Sequence, residues 1–208
     1  MHWFTESTNG KAVERNGKAQ TSKVIDFAWL AETYRKAVTN ALVVTLAKSL
    51  GVSFDSLRAL NVGWDGEAWT FPMHDPSGKT VGIRRRLPNG KKLSVKGGHE
   101  GLFVPNNLNG ESPMFVCEGP TDTAAMLTLG FQAIGRPSCS GGTAYLVAIC
   151  AKRRTIIVAD SDAPGLRGAR LLEAKLENAT VIVPPAKDMR AWLLEGAARD
   201  GVLALTAP

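Results

Sequence analysis

The pattern of hydrophobic and polar positions divides the chain into four segments of different texture. The first is polar and aperiodic, and the second carries apolar residues at helical spacing. In the third, short β-type runs alternate with turn formers, and in the fourth very apolar runs alternate with helical patterns. We therefore expect a flexible N-terminal arm (1–22), a helical region (23–62), an antiparallel-sheet subdomain (63–112) and a larger α/β domain (113–208).

The helical region predicts three helices. Apolar residues from Ile25 onward fall near a 3.6-residue period and indicate the first helix. A second is expected over residues 40–50, because Gly51 is suited to the position just after a helix. Ser53 is suited to the N-cap of a short third helix.

The third segment contains four runs of β type. They read AWTFPMHD, TVGIRRRL, KLSVKGG and GLFVP, and the turn formers DPSGK and PNGK separate the first three. Such runs predict a small antiparallel sheet. Trp64 and Trp69, like the earlier Trp29, are expected in the core, although Trp69 beside a basic sheet also suits base stacking.

The fourth segment alternates four apolar runs, MFVCEG, FQAIG, TIIVAD and TVIVPP, with helical patterns. Repeated strand–helix units of this kind predict a parallel sheet flanked by helices. Reactive groups in such a sheet belong at the carboxyl ends of the strands. The Gly/Ser loop at residues 138–142 either approaches phosphates through its backbone N–H groups or is a simple turn.

Acidic residues stand where reactive groups are expected. Glu118 ends the run MFVCE, and Asp160 and Asp162 directly follow TIIVA. Alternate residues of an extended chain face the same way, so the two aspartates should converge. Clustered carboxylates repel one another unless a cation neutralises them, and oxygen ligands without His or Cys favour Mg²⁺ or Mn²⁺, cations that commonly act on phosphates. The alternative is that Asp162 only caps the following helix.

The chain also carries a positive surplus, with 25 Lys+Arg against 19 Asp+Glu and a formal net charge of +6. Six basic residues lie in an acid-free stretch, and the other 19 equal the acidic residues in number. Clustered basic residues bind phosphates, whereas the alternative is a solvated edge strand protected against aggregation. In a hairpin, Arg84 and Arg86 would share a face and Arg85 would point away. The six residues are Arg84, Arg85, Arg86, Lys91, Lys92 and Lys96.

The composition excludes several classes of protein. Hydrophobic residues make up 44% of the chain, which is ordinary for a globular protein, and no apolar run approaches the ~20 residues of a membrane span. The N-terminus lacks the apolar run of a signal peptide. Three cysteines form no CxxC pair, which favours a reducing cytoplasm and no structural zinc site. Because no apolar run is long enough to span a membrane, we expect no membrane partner.

Two sequence blocks resemble the Toprim domain of primases, topoisomerases, small nucleases and recombination mediators. They are CEGPTDTAAMLTLGF and, about thirty residues on, VADSDAPGLRGARLL. The resemblance implies a Rossmann-like sheet in which Glu118, Asp160 and Asp162 form a catalytic Mg²⁺ or Mn²⁺ site. It also implies metal-ligating roles for Asp188 and for Asp122, which matches a further acid of the primase branch. Asp188, in KDMRAWL, lies where primases carry another acidic motif, here shortened, and a helix N-cap is the equal alternative.

The segment VGIRRRLPNGKKLSVKGGHEGLFVP is similar to the basic segment that precedes Toprim in primases. With it, the resemblance covers roughly residues 50–196 and implies the catalytic core of a bacterial, phage or mobile-element primase without the zinc-binding domain. Implied partners are a single-stranded DNA template and nucleoside triphosphates, together with a replicative helicase or a separate template-recognition protein. The alternatives are a Toprim nuclease and a non-catalytic nucleic-acid-binding module.

Overall fold

Two four-stranded sheets organise the chain, one antiparallel and one parallel. A computed structural model describes residues 25–110 and 113–207, so the arm predicted at 1–22 lies outside the described residues. The expected α/β class, with a parallel sheet behind a smaller α+β unit, is confirmed. None of the described helices is both long and apolar enough to cross a membrane.

Three helices open the described chain, and local capping sets their ends. Asp26 accepts hydrogen bonds from the N–H groups of Ala28 and Trp29, both at 3.0 Å, and Ser53 accepts one from the N–H of Ser56 at 3.1 Å. Gly51 ends the second helix in the left-handed conformation, at φ 70°. The helices are α1 (Phe27–Ala37), α2 (Asn40–Leu50) and α3 (Phe54–Ala59).

The antiparallel sheet follows, with its strands in sequence order. Its strands are β1 (Gly63–Trp64), β2 (Trp69–His74), β3 (Thr80–Arg86) and β4 (Lys92–Ser94). The run GLFVP is not a strand: Leu102 forms an isolated bridge with His74, and Phe103 forms one with Gly135. Pro105, which has no backbone N–H, ends the run. These two bridges join the antiparallel sheet to the parallel one.

The parallel sheet has the strand order β6-β5-β7-β8. Its strands are β5 (Met114–Glu118), β6 (Ala133–Arg136), β7 (Thr155–Val158) and β8 (Ala179–Ile182). The helices are α4 (Gly119–Thr128), α5 (Thr143–Cys150), α6 (Ala163–Glu173), α7 (Met189–Leu194) and α8 (Arg199–Leu205). Sequence patterning predicted neither α8, which begins without a side-chain cap, nor the two-residue strand β1.

Alternate residues of β5 divide the hydrophobic core between the two faces of the parallel sheet. Phe115 packs in a cluster with Leu46 of α2 and Phe71 of β2, so the helices and the antiparallel sheet share a core with one face. Val116 belongs to a second cluster on the other face. Because β2 and β5 contribute to one core, the basic sheet is packed against the parallel sheet.

Of the three tryptophans expected in the core, Trp69 is buried, Trp64 packs partly buried against the core, and Trp29 lies outside it. Trp69 is buried, and its ring packs edge-on against Trp64 with centroids 5.1 Å apart, which removes it as a stacking surface for bases. Trp29 is 66% exposed, so the prediction that it belongs to the core is wrong. Phe27, two residues earlier on α1, supplies the buried contact instead.

Candidate active site

The acidic residues collect at the carboxyl ends of two adjacent strands. Glu118 is the last residue of β5, and Asp160 lies two residues beyond the end of its neighbour β7. Gly165 at the start of α6 packs closely on Asp160, since a Cβ at that position would lie 2.8 Å from the Asp160 Cβ. The parallel topology therefore brings together two acids that are 42 positions apart in the sequence. We call the set Glu118, Asp122, Asp160, Asp162 and Asp188 the acidic centre.

Two members of the acidic centre also act as helix N-caps. The Asp162 carboxylate accepts a hydrogen bond from the N–H of Gly165, and Asp188 accepts one from the N–H of Ala191, each at 2.7 Å. The loops that carry these acids are tied together, because the backbone N–H of Ser161 donates to the carbonyl of Lys187 at 2.9 Å. Both residues therefore cap helices, as the alternative interpretation predicts, and the capping hydrogen bond fixes where each carboxylate lies.

Asp122 is a buried acid in the first turn of α4. It accepts a hydrogen bond from the backbone N–H of Arg190 at 2.9 Å, which connects α4 to the start of α7. Burial and the nearby Asp188 raise the pKa of Asp122 to about 7, and the Arg190 hydrogen bond opposes the rise. Burial and like charge therefore favour the protonated form of this residue more than in an ordinary aspartate.

Asp160 experiences the negative charges of three other members of the acidic centre. Its pKa is raised to about 6, mainly by burial and then by the negative charges of Glu118, Asp188 and Asp162, in that order of effect. Lys92, on β4, acts in the opposite direction. Mutual repulsion of this kind is relieved by a bound cation, so the field of the site favours one.

The donor set suits a hard divalent cation. Every side chain of the acidic centre offers carboxylate oxygen, which is the ligand type of Mg²⁺ and Mn²⁺. Within residues 25–110 and 113–207, no three His, Cys, Asp or Glu side chains are arranged to hold a metal ion by themselves. Mg²⁺ in proteins is usually bound through one or two carboxylates while water and substrate phosphates complete the shell.

Two basic side chains of the antiparallel sheet lie beside the acidic centre, and a third reaches the adjoining loop. Arg86 is half-buried; burial and the nearby Arg190 lower its pKa, and Asp122 raises it. Lys92, which pairs with Arg86 in the sheet register, lies close enough to Asp160 to lower its pKa. Arg84 donates a hydrogen bond from Nη2 to the carbonyl of Pro137 at 3.2 Å, at the start of the loop after β6.

The other basic candidates lie elsewhere. Arg85 points away from Arg84 and forms ion pairs with the carboxylates of Asp65 and Glu67, so its guanidinium is already occupied within the sheet. Lys96 lines a cavity of about 790 Å³ between the start of α1 and the start of β3, at the far end of that strand from Arg86. Lys91 lies exposed in the turn before β4.

Sequence reasoning missed two basic residues at the site. Arg190 holds Asp122 through its backbone and lies near the Arg86 guanidinium. Arg136 is the last residue of β6, pairs with Glu118 in the sheet register and is only 1% exposed. Its signal in the sequence is a basic residue directly after the apolar run FQAIG.

The fold is similar to those of solved primase catalytic cores. The E. coli primase catalytic core matches with a TM-score of 0.65 and 17% identity, over 86% of this chain and 77% of that chain. The primase fragment of the bacteriophage T7 primase-helicase protein matches with a TM-score of 0.59 and 19% identity, over 77% and 72%. A DnaG primase catalytic domain bound to single-stranded DNA matches with a TM-score of 0.66 and 15% identity, over 86% and 76%.

Sequence comparison gives no such match. No protein-family model and no curated protein sequence matches the chain. The structural matches, by contrast, confirm the predicted likeness to primase cores at the level of fold.

Proposed function

We propose that the chain is the Toprim catalytic core of a primase, which synthesises short primers on single-stranded DNA by metal-dependent nucleotidyl transfer. The observation that carries the proposal is the meeting of opposite charges: an acidic centre at the ends of β5 and β7 lies beside Arg86 and Lys92 of the neighbouring sheet, and Arg84 reaches the adjoining loop after β6. Basic groups beside a cation-binding centre suit a polyphosphate substrate.

Each group has a distinct task in this proposal. A bound Mg²⁺ or Mn²⁺ would supply Lewis-acid polarisation of the nucleotide phosphates. Glu118, Asp160 and Asp162 would offer carboxylate oxygens to it, with water and substrate phosphates as its other ligands, and the N-capping bond of Asp162 keeps that carboxylate in place without a metal. Asp122 and Asp188 would complete the negative field. Asp122 also joins α4 to α7 through the N–H of Arg190, and Asp188 caps α7.

The basic residues hold substrate in the same proposal. Arg86 and Lys92 would orient phosphates over the carboxylates, and Arg84 would contact the template or the nucleotide at the rim of the loop after β6. Arg85 has a structural task, since its ion pair with Asp65 fixes β3 to the turn before β2.

The proposal has consequences for partners and setting. The implied substrates are a single-stranded DNA template and nucleoside triphosphates, and the implied process is DNA replication in a bacterium, a phage or a mobile element. A replicative helicase or a separate template-recognition protein would direct the core to its start sites. Three free cysteines, two of them buried, agree with a reducing cytoplasm as the place of action.

Incubation with single-stranded DNA, labelled nucleotides and Mg²⁺ or Mn²⁺ tests the proposal. We expect short labelled oligonucleotides from the unaltered protein and from the control Asp200→Asn, whose residue lies exposed on α8. Glu118→Gln should abolish the products. Shortening of the input strand in the absence of nucleotides would instead identify a nuclease. Salt-sensitive binding of the strand with neither reaction would identify a non-catalytic binding module.

A further inference from the structure

Arg136 is a buried cation whose hydrogen bonding is incomplete. Its side chain is 1% exposed, and Nη1 donates to the carbonyls of Cys139 at 2.7 Å and Gly168 at 3.2 Å. Nε and Nη2 are buried without a hydrogen-bond partner. Burial of a guanidinium is unfavourable unless opposite charge or hydrogen bonds compensate it. Because the hydrogen bonds of Arg136 are incomplete, we look for a compensating negative charge.

The compensating charge comes from the acidic centre. Arg136 and Glu118 are paired neighbours at the ends of parallel strands, so their side chains leave the sheet on the same face. Burial lowers the pKa of Arg136, whereas the Glu118 and Asp160 carboxylates raise it. Among the described residues Arg136 forms no ion pair within 4.0 Å, so these carboxylates act on it through space.

The two hydrogen bonds of Arg136 connect the loop after β6 to α6. The loop packs directly on the helix, because a Cβ at Gly168 would lie 2.0 Å from the Cys139 carbonyl oxygen. The same loop accepts the hydrogen bond of Arg84 at Pro137, and α6 begins at the Asp162 cap. One guanidinium thus contacts both segments that flank the acidic centre on this side.

We propose that Arg136 is a positioning residue that serves as the internal counter-cation of the acidic centre and clamps residues 137–142 onto α6. This inference rests on the proposed function, because it concerns how the acidic centre receives a divalent cation. The guanidinium and the divalent cation act on the same carboxylates from different sides. Removing the guanidinium charge therefore strengthens cation binding and releases the loop at the same time.

Mn²⁺ binding by calorimetry, without nucleotide and at pH 8, tests the charge. Arg136→Met should bind Mn²⁺ more tightly by on the order of tenfold. Arg136→Gln is also neutral but keeps a donor for the Cys139 carbonyl, so it carries the same expectation if the methionine variant does not fold. Arg136→Lys keeps the charge and should stay within about twofold of the unaltered protein. Equal or weaker binding in the folded neutral variants would overturn the inference.

Labelling of Cys139 by a maleimide tests the clamp without any metal. Cys139 is partly exposed, whereas Cys117 and Cys150 are buried and serve as internal references. In Arg136→Met, the rate of maleimide labelling at Cys139 should rise several-fold, while the labelling rates of Cys117 and Cys150 stay constant. An unchanged rate at Cys139 would contradict the clamp.

Failure of the proposed function and failure of the inference about Arg136 give different results. Absence of Mn²⁺ binding by the unaltered protein would count against the proposed function, whereas normal binding that is insensitive to Arg136 would count only against this inference.

Discussion

At the scale of single residues, the acidic centre holds unfavourable electrostatic energy in the folded protein. The pKa of Asp160 rises from 3.8 to about 6 through burial and neighbouring carboxylates. The folded state therefore binds protons more readily than the unfolded state between these values. The contribution of Asp160 to stability falls as the pH rises from about 4 to about 6, and the loss is complete above that window.

Asp160→Asn should remove this loss. Without divalent cations, we expect the free energy of unfolding of the variant to exceed that of the unaltered protein by about 2 kcal/mol at pH 8 and to match it near pH 3. Urea denaturation across this pH range measures the difference. Asp200→Asn is the matched control and should give no comparable gain at pH 8. A variant less stable than the unaltered protein at pH 8 would contradict the account.

Substitution of two neighbouring arginines of β3 should have different effects on DNA binding and on stability. Arg84→Ala should leave stability nearly unchanged and reduce the salt dependence of single-stranded DNA binding by about 0.7, the slope expected for one phosphate contact. Arg85→Ala should leave that slope unchanged and lower the free energy of unfolding by about 2 kcal/mol, because the Asp65 side chain, 5% exposed, loses its ion-pair partner. Binding titrations at several salt concentrations and urea denaturation separate the two. Equal slopes for Arg84→Ala and the unaltered protein would remove Arg84 from the proposed interface.

At the scale of elements, the contact between α6 and the loop after β6 depends on a missing side chain. Gly168→Ala would place a Cβ 2.0 Å from the Cys139 carbonyl oxygen, so helix and loop must separate. We expect a loss of about 1–3 kcal/mol in stability, together with reduced nucleotide incorporation. Thermal unfolding and the labelled-nucleotide assay measure the two effects.

Gly201→Ala provides the control, because it is also a glycine inside a helix. A Cβ there would lie 3.5 Å from the ring of Trp192, an ordinary contact, so α8 should gain about 0.5–1 kcal/mol from the better helix former. If both substitutions had the same sign, close packing of α6 on the loop would not explain the effect at Gly168.

The sequence predicts the features of these elements that depend on local spacing, but not those that depend on packing. Strand ends and caps are local properties, so Glu118, Asp160 and the N-cap at Ser53 could be found from spacing and residue type. The ion pair of Arg85 with Asp65 depends on sheet register across 20 positions, and the burial of Arg136 depends on α6 packing over it. Trp29 was misassigned because periodicity alone does not reveal which helix face meets the core.

At the scale of the whole molecule, a shared core sets the distance between opposite charges. Leu46, Phe71 and Phe115 belong to one cluster, which holds the basic sheet against the ends of β5 and β7. The charges of the sequence therefore separate into a basic strand pair and an acidic centre that face each other. Such an arrangement suits transfer of a nucleotide better than general coating of nucleic acid.

Extension of a preformed RNA primer annealed to single-stranded DNA tests this central claim most directly, because it requires nucleotidyl transfer but no start-site recognition. With Mn²⁺ and nucleoside triphosphates, we predict that the unaltered protein lengthens the primer. Asp160→Asn should bind the same primer–template with similar affinity and extend it at least about a hundredfold more slowly. Extension by Asp160→Asn at the unaltered rate, or no extension by the unaltered protein, would contradict the account.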